Sequence, residues 1–364
     1  MARAMKAKYT AIGPSSRQIT GQSKAFAHFV RSSRHNFTVV CYNTFPNKIV
    51  DAIYFVCLIA LTRLKGAPTV VYFTNSRSSF GFMRDAILIF LLKKKSIQQK
   101  FVAHLHGSDL ATAYESSNAL SKFCADYVYA NIEEMIVLSD AMKADLKQYW
   151  PTNMSVVKNF VDPRMVKSRA TIEKKIASCK GENVKVYFIS NIIPSKGLHI
   201  LLESFCHLFP VQQEKYKIFV VGSYMCDRTY ERYITHLCKN RADISILGPK
   251  SSLEIVHCYE AADIMCLPSY YPTEASPLCV LEAQACGALV VTTDQGAIRE
   301  LLPEDYPFIA CAGSSSDFLE KFEQALASFD NSGKLRLDCY ANVDVHYNSD
   351  RYIDEIDALL MPAG

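Results

Sequence analysis

The chain has 364 residues, of which 49% are hydrophobic and 21% are charged, and its formal net charge at pH 7 is +4. This length suits two domains with substantial hydrophobic cores, and so small a positive excess does not indicate a general nucleic-acid-binding protein. The 13 cysteines include no CxxC pair, which favours buried reduced thiols over a disulfide framework or a zinc site.

The N-terminal segment, MARAMKAKYTAIG, lacks the apolar core of a secretory signal peptide. The longest uncharged apolar run, residues 52–61, is too short to span a bilayer, and we interpret it as part of a core helix. These features predict a cytoplasmic protein that is soluble or at most peripheral at the inner face of the plasma membrane.

Strands and helices alternate through the first half of the chain. The predicted strands are 6–13, 37–43, 68–74, 100–107, 134–139 and 154–162. The predicted helices are 23–30, 49–64, 82–95, a stretch ending at 131, and 140–149. Residues 1–163 therefore form the predicted N-terminal domain.

Residues 164–183 are polar and basic without core periodicity, and we interpret them as an interdomain connection. Strands are then predicted at 184–190, 216–222, 244–248, 263–269 and 288–293, with helices at 197–209, 228–239, 251–262 and from 276. This second series, residues 184–345, predicts another doubly wound α/β domain, with ligands bound in a cleft beyond the strand carboxyl ends. Residues 346–364, with a helix at 349–360, are expected to pack back on the N-terminal domain.

Two glutamates, Glu274 and Glu282, flank an otherwise uncharged stretch within residues 272–287. A core helix needs neither carboxylate, so the pair suggests a ligand with hydroxyl groups. The alternative is that Glu274 is an exposed loop acid and Glu282 is a solvated helix position.

The helix between these glutamates has a recognisable start and stop. We expect Ser276 as its N-cap, Pro277 as its first residue and Gly287 just past its end. The N–H groups of Ser276, Leu278 and Cys279 would then form a site for an anion, most naturally phosphate. Phosphate with hydroxyl-bearing groups on either side indicates a nucleotide-sugar.

Lys196 and Gly197 lie at the start of another predicted helix, where a positive charge is unfavourable unless an anion is bound nearby. Beside a phosphate the lysine would act as a point-charge clamp. The alternative is an ordinary surface lysine.

The sequence HLHG places His104 and His106 on one face of a predicted strand that ends at Gly107. His106 is either a buried, hydrogen-bonded histidine or an active-site residue. No third metal ligand is apparent, so no metal site is predicted. Asp109 either orients the site or caps the following helix.

Together these segments resemble glycosyltransferase family 4, the glycosyl transferases group 1 of the GT-B fold, over about residues 9–360. Residues 274–282 match its E-x7-E motif. Other segments similar to the family's landmarks, in the family's order, are GPSSRQITGQS (13–23), HLHGSD (104–109), IVLSDAMKADL (136–146), VVKNFVD (156–162) and NIIPSKG (191–197).

The resemblance implies two Rossmann-like domains facing across a cleft and a retaining transfer, without a metal or other cofactor, from a nucleotide-diphospho-sugar. Glu274 would contact sugar hydroxyls, and Glu282 would contact the ribose. Lys196 would offset the charge of the leaving diphosphate. Gly21 would let the backbone approach the phosphates, and His106 would line the reacting sugar.

Three further residues are assigned to substrate binding. Gly107 and Asp109 follow the strand that carries His106. The family often has an arginine five residues before the lysine, but Asn191 occupies that position here. Asparagine donates hydrogen bonds without a charge, and Arg17, Arg84 or Lys250 are candidates to compensate.

The implied activity moves a hexose from a UDP- or GDP-sugar to a growing, lipid-linked glycan in bacterial cell-surface polysaccharide synthesis, such as lipopolysaccharide or capsule. A transferase with a soluble acceptor, a sugar-nucleotide epimerase and a catalytically silent nucleotide-sugar-binding protein of an assembly complex stay open. The absence of GxGxxG, P-loop and DxD sequences disfavours hydride transfer, kinase activity and a metal-dependent glycosyltransferase.

A membrane surface is a further expected partner. Residues 81–100 place Ile87, Leu88, Leu91 and Leu92 beside three lysines, Lys93, Lys94 and Lys95. This pattern indicates either a core helix with a basic end or a basic rim that rests on anionic lipid.

Overall fold

The computed structural model describes residues 8–17, 20–94, 96–178 and 183–362. They belong to two compact units: unit 1 is Met1–Lys158 with Asp350–Gly364, and unit 2 is Asn159–Ser349. Each unit contains a parallel sheet of six strands joined by helices. The prediction of two doubly wound α/β domains is confirmed.

Unit 1 is wound in both directions from its first strand. Its strand order is β2-β1-β3-β4-β5-β6, so the switch point lies between β1 and β3, where ligands bind in folds of this kind. In chain order the elements are β1 (Tyr9–Pro14), α1 (Gly21–Ser32), β2 (Phe37–Tyr42), α2 (Lys48–Leu64), β3 (Val70–Thr74), α3 (Ser79–Leu92), β4 (Lys100–His104), α4 (Leu110–Glu115), α5 (Ala119–Tyr129), β5 (Glu134–Val137), α6 (Asp140–Lys147) and β6 (Met154–Val156).

The core of unit 1 forms around its central strands. All five residues of β3 are buried, as expected for a parallel strand that is covered on both faces. Phe29 of α1 packs against Tyr72 of β3, with ring centroids 4.8 Å apart. Thr20 and Ser23 begin α1 with a reciprocal capping box.

Helix α2 differs from the core helix predicted for residues 52–61. Its buried residues are Asp51, Phe55 and Ile59, whereas most of its other large apolar side chains are exposed. The helix is apolar on two opposite faces, so its composition did not show that only one of them would be covered.

Unit 2 has the strand order β12-β11-β10-β7-β8-β9, which places its switch point between β7 and β10. Its elements are α7 (Arg169–Ser178), β7 (Val184–Ile189), a 3-10 turn (Pro194–Lys196), α8 (Leu198–Leu208), β8 (Tyr216–Val221), α9 (Arg228–Leu237), β9 (Ile244–Gly248), α10 (Ser252–Ala261), β10 (Ile264–Leu267), α11 (Leu278–Ala285), β11 (Leu289–Thr293), a 3-10 turn (Ile298–Leu301), β12 (Ile309–Ala310), α12 (Ser315–Ser328) and α13 (Gly333–His346).

Two segments were assigned less completely from the sequence. Residues 164–183, interpreted as a connection, contain α7, whose Lys175 ammonium donates to the Ala262 and Cys286 carbonyls of unit 2 at 2.7 Å each. No element was predicted for residues 294–348, where the structure forms β12, α12 and α13.

The last helix, α14 (Ser349–Leu359), lies almost entirely in the part of the chain that is grouped with unit 1. Its Asp357 carboxylate accepts hydrogen bonds from the Ser33 hydroxyl and, at 2.9 Å, from the Arg34 N–H. These bonds fix α14 at the C-terminal end of α1.

Candidate functional site

The loops that follow β7 and β10 meet at the switch point of unit 2. The Tyr270 N–H donates to the Ser195 carbonyl at 2.8 Å, which joins the two loops through their backbones. Gly197 has a φ of +77°, and a Cβ there would lie 2.0 Å from the Pro268 carbonyl oxygen. Only glycine allows this approach, and it brings residues of both loops into one site.

Lys196 and Glu274 form an ion pair between these loops. The Ser269 hydroxyl donates to the same carboxylate oxygen at 2.9 Å, and the lysine nitrogen lies 4.8 Å from the centre of the Tyr271 ring. The paired side chains are only 13% and 8% exposed. Glu274 is therefore not an exposed loop acid, and Lys196 is not an ordinary surface lysine.

Helix α11 begins one residue later than predicted. Pro277, with φ −65° and ψ 118°, is the N-cap, so the assignment of Ser276 to that position is wrong. The Ser276 carbonyl instead accepts from the Asn159 side chain at 3.1 Å. Its hydroxyl is buried with no hydrogen-bond partner among the described residues. Leu278 and Cys279 are the first helical residues, and such residues have N–H groups without intrahelical partners.

The end of α11 matches the prediction. Gly287 has a φ of +68°, and its N–H donates to the Gln284 carbonyl at 2.9 Å, which is the left-handed C-terminal arrangement that favours glycine. The Cys279 thiol near the other end stays neutral at physiological pH, because burial raises its pKa to about 12.

Glu282 is buried in the middle of α11, with 4% of its surface exposed, so it is not a solvated helix position. Burial and the hydrogen-bonded Glu282 carboxylate raise the pKa of Tyr259 well above its usual range. The pKa of Arg164 is raised by its hydrogen bonds to Asp162 and also by the negative charge of Glu282. A buried carboxylate in this setting can accept hydrogen bonds from a ligand's hydroxyl groups.

Asn191 lies in the same loop as Lys196 and is half-buried. Its carbonyl accepts from the Ile193 N–H at 3.0 Å. The neighbouring Gly222 has a φ of +154° and approaches the Ser190 carbonyl so closely that a Cβ would lie 1.9 Å away. The backbone around Asn191 is therefore fixed at the carboxyl end of β7.

His104 and His106 stack at the carboxyl end of β4, with ring centroids 4.0 Å apart. His104 Nδ1 lies 2.8 Å from the Tyr72 hydroxyl. The Nε2 atoms of both histidines are buried and have no hydrogen-bond partner among the described residues. Burial and the Arg77 guanidinium lower the pKa of His106 to about 3, so its ring is neutral at physiological pH.

Asp109 forms an ion pair with Arg77. It occupies the N-cap position of α4, but its side chain makes no capping hydrogen bond. Gly107 lies against the same arginine, since a Cβ there would be 2.0 Å from Arg77 Nη1. Of the two roles left open for Asp109, orientation of the surrounding side chains fits this geometry.

Gly21 is the first residue of α1, and a Cβ there would meet no protein atom within 4 Å. No contact with a described residue therefore requires glycine at this position. Gln18 and Ile19 of the same loop lie outside the described residues. The three cations suggested as substitutes for a charge at Asn191 all have protein partners: Arg17 with Thr44, Arg84 with Asp85 and Lys250 with Glu254.

Sequence reasoning missed Ser269, Arg77 and Tyr72. Ser269 follows β10 and Arg77 follows β3, so both lie at the carboxyl edge of a parallel sheet, which is the signal that could have identified them. Across the described ranges, no group of three or more histidine, cysteine, aspartate or glutamate side chains could hold a metal ion. No helix in those ranges is long and apolar enough to cross a membrane.

Residues 169–343 match the family model described as glycosyl transferases group 1. The matched region lies in unit 2 and contains Asn191, Lys196, Glu274 and Glu282.

Two curated relatives are also similar. The chain is 27% identical over 200 residues to the D-inositol 3-phosphate glycosyltransferase of Corynebacterium urealyticum, covering 50% of this chain and 46% of that protein. It is 24% identical over 262 residues to a human phosphatidylinositol N-acetylglucosaminyltransferase subunit, covering 69% of this chain and 49% of that protein. The chain thus spans about half the length of these relatives.

The fold is shared with a solved structure, that of Anabaena Alr3699/HepE in complex with UDP. The TM-score is 0.73 at 17% identity, and the match covers 97% of this chain and 99% of that one. The two Rossmann-like halves with parallel sheets are those of GT-B glycosyltransferase structures, so the predicted fold class is confirmed. The family match supports a glycosyltransferase, whereas the solved structure shows that the fold is shared.

Proposed function

We propose that this chain is a retaining glycosyltransferase that moves a hexose from a nucleotide-diphospho-sugar to a growing, lipid-linked glycan of a bacterial cell surface. The observation that carries the proposal is the buried Lys196–Glu274 pair at the switch point of unit 2, directly before α11. A cation, a carboxylate and a helix N-terminus in one place suit a ligand that has both phosphate and hydroxyl groups.

The diphosphate would bind at the start of α11. The Leu278 and Cys279 N–H groups have the orientation and partial positive charge of a helix N-terminus. The buried Ser276 hydroxyl, which has no hydrogen-bond partner within the described ranges, adds a donor beside them. Lys196 would interact with both Glu274 and the phosphates. Its attraction to the phosphates would strengthen as the leaving group gains negative charge.

The two glutamates would hold opposite ends of the donor. Glu274, fixed by Ser269 and Lys196, would accept hydrogen bonds from sugar hydroxyls. Glu282, buried on α11, would accept from the ribose hydroxyls. Asn191 would donate a hydrogen bond to the diphosphate from the loop that carries Lys196.

In unit 1, His106 would contact the reacting sugar through its buried Nε2 atom, for which the described part of the chain provides no hydrogen-bond partner. Because its ring is neutral, it would act through hydrogen bonding rather than charge. Gly107 and Asp109 would hold the strand end through Arg77. Gly21 would leave space for the donor phosphates to approach the start of α1.

The transfer itself exchanges one bond for another at the anomeric carbon. The bond to the diphosphate oxygen breaks, and its electron pair leaves with the nucleoside diphosphate. The acceptor hydroxyl oxygen forms the new bond, and its proton passes to the leaving phosphate. No metal is required in this scheme, because Lys196 and the N-terminus of α11 meet the developing charge.

A lipid-linked acceptor is supported by the human relative, whose name includes phosphatidylinositol. The HepE complex supports UDP as the nucleotide, since UDP is what that protein binds in its structure. A soluble acceptor would use the same donor site, so the two cases differ only in unit 1.

The test is nucleotide release from a panel of radiolabelled UDP- and GDP-sugars, with the wild type and Lys196→Ala compared. We expect one donor to be consumed by the wild type and at least about 100-fold more slowly by the variant.

Asn191, which lacks a charge, favours a second candidate, a catalytically silent binding protein. Tight donor binding without any nucleotide release would establish that candidate instead.

A further inference from the structure

One face of α2 is apolar and uncovered. Ile49, Ile53 and Leu64 are 71%, 61% and 81% exposed. We call this surface the α2 face, and its large apolar residues are Ile49, Val50, Ile53, Tyr54, Val56, Leu61 and Leu64.

The opposite face of α2 already provides the contacts that the fold needs. Phe55 and Ile59 are buried, and Asp51 accepts from the Asn43 and Phe45 N–H groups at 2.7 and 3.0 Å. A helix that is apolar on two faces is usually covered on both. Large exposed apolar patches on globular proteins mark sites of interaction with proteins or membranes.

Basic residues lie at the C-terminal end of the α2 face. The Arg63 guanidinium donates to the Lys93 carbonyl at 3.2 Å, which places the end of α2 beside the end of α3. Lys65 and Lys94 are exposed at this junction. The acidic residue of α2, Asp51, is buried, so the exposed surface of this helix carries no negative charge.

The other end of the α2 face lies near the carboxyl edge of the sheet. In a doubly wound fold a helix runs antiparallel to the strands, so the N-terminus of α2 is at the edge where β4 presents His106. Phe45 extends the apolar surface there, with its ring 5.1 Å from that of Tyr54. The 17 residues of α2 give a surface about 25 Å long.

We propose that the α2 face docks on an anionic lipid bilayer, with the helix lying in the headgroup region and the basic end held by lipid charge. An apolar stripe with a basic rim and no exposed acid complements such a surface. The docking surface is argued from exposure and charge alone, whereas its use in presenting a lipid-linked acceptor rests on the proposed function.

This assignment changes the membrane surface predicted from residues 81–100. Leu88 and Leu92 of α3 are 1% and 0% exposed, so they belong to the core and are not available to lipid. Ile87 is exposed, and Lys94 remains part of the basic rim. Lys95 lies outside the described residues.

The test is cosedimentation of the full chain with vesicles of equimolar phosphatidylcholine and phosphatidylglycerol at low salt. Replacing the apolar stripe by Ile49→Ser/Ile53→Ser/Leu64→Ser should weaken vesicle binding at least about 10-fold. A matched triple variant in unit 2, Val211→Ser/Leu253→Ser/Val345→Ser, changes residues that are 76%, 63% and 61% exposed. This control should bind as the wild type does.

The basic rim is tested by Lys65→Gln/Lys94→Gln, which should weaken binding about 30-fold at low salt and leave it unchanged at high salt. Circular dichroism and nucleotide release with a water-soluble acceptor should be normal for both sets of variants. If the wild type binds vesicles but releases no nucleotide from any donor, the transferase proposal fails while the docking proposal stands.

Any of three results would overturn the docking proposal. The first is a wild type that does not bind vesicles, and the second is an α2-face variant that binds them as well as the control does. The third is a dimer, detected by light scattering, that the α2-face variant abolishes while vesicle binding is unaffected; the occupant of the surface would then be a second copy of the chain.

Discussion

Replacing Lys196 with alanine should affect both stability and turnover, for different reasons. The lysine and Glu274 are 13% and 8% exposed, and removing one partner of a buried ion pair costs about 3–5 kcal/mol. For a unit of this size, at about 2–4 °C per kcal/mol, we expect the melting temperature to fall by about 6–20 °C. Turnover should fall at least about 100-fold, because the leaving diphosphate loses its cation.

A double variant separates these two effects. Lys196→Met/Glu274→Gln removes both charges, keeps similar side-chain volumes and leaves Ser269 a hydrogen-bond partner. Replacement of a buried ion pair by neutral side chains of similar volume is often neutral for stability. We therefore expect the melting temperature to recover most of the loss while turnover stays at least about 100-fold below that of the wild type.

A remote ion pair provides the control. Arg241 and Asp243 are 9% and 0% exposed and lie before β9, at the amino edge of the unit 2 sheet. Arg241→Ala should destabilise the protein by a similar amount and leave the turnover of the folded enzyme unchanged. Melting curves and initial rates of nucleotide release check all three variants. If Lys196→Ala keeps near-normal turnover, the pair serves only the fold and the proposed donor site is wrong.

Three further predictions concern the same sites. Glu282→Ala should raise the Michaelis constant for the donor about 10-fold with little change in turnover, since the ribose gains no charge in the reaction; loss of turnover at an unchanged Michaelis constant would contradict ribose binding. Nucleotide release should persist in excess EDTA, and its abolition by EDTA with rescue by manganese or magnesium would contradict the proposed charge compensation. Burial and Arg77 lower the pKa of His106 to about 3, so the unfolded chain takes up this proton below about pH 6.5 while the folded chain does not. Folding stability should therefore fall as the pH drops from about 6.5 towards 3, and His106→Asn should reduce that dependence by up to about 1.4 kcal/mol per pH unit; identical slopes in urea unfolding at several pH values would show that His106 is not the group responsible.

The alternating strands and helices were predictable because each is a local pattern. Buried parallel strands have continuous apolar runs, as β3 does with five buried residues, and these runs need no knowledge of their neighbours. The final helix was predicted at residues 349–360, and α14 covers Ser349–Leu359. Gly287 was placed correctly because a left-handed residue after a helix strongly favours glycine.

Which surfaces are buried was decided only by the tertiary structure. The 52–61 run has the same composition whether one or both of its faces are covered, and the structure covers only the side of Phe55 and Ile59. The start of α11 moved by one residue because the Ser276 carbonyl bonds to Asn159, more than a hundred positions away in the chain. The residues around Ser276 in the sequence do not indicate so distant a partner.

The sequence alone determined which residue types stand at the carboxyl ends of β7 and β10, and hence the kind of ligand that these loops suit. The tertiary structure decided that Lys196 and Glu274 meet, because a backbone hydrogen bond from Tyr270 to Ser195 joins their loops. It also decided that Asp109 pairs with Arg77 instead of capping α4. Charges that are distant in sequence become partners only when the sheet brings their loops together, and their burial then determines how strongly they interact.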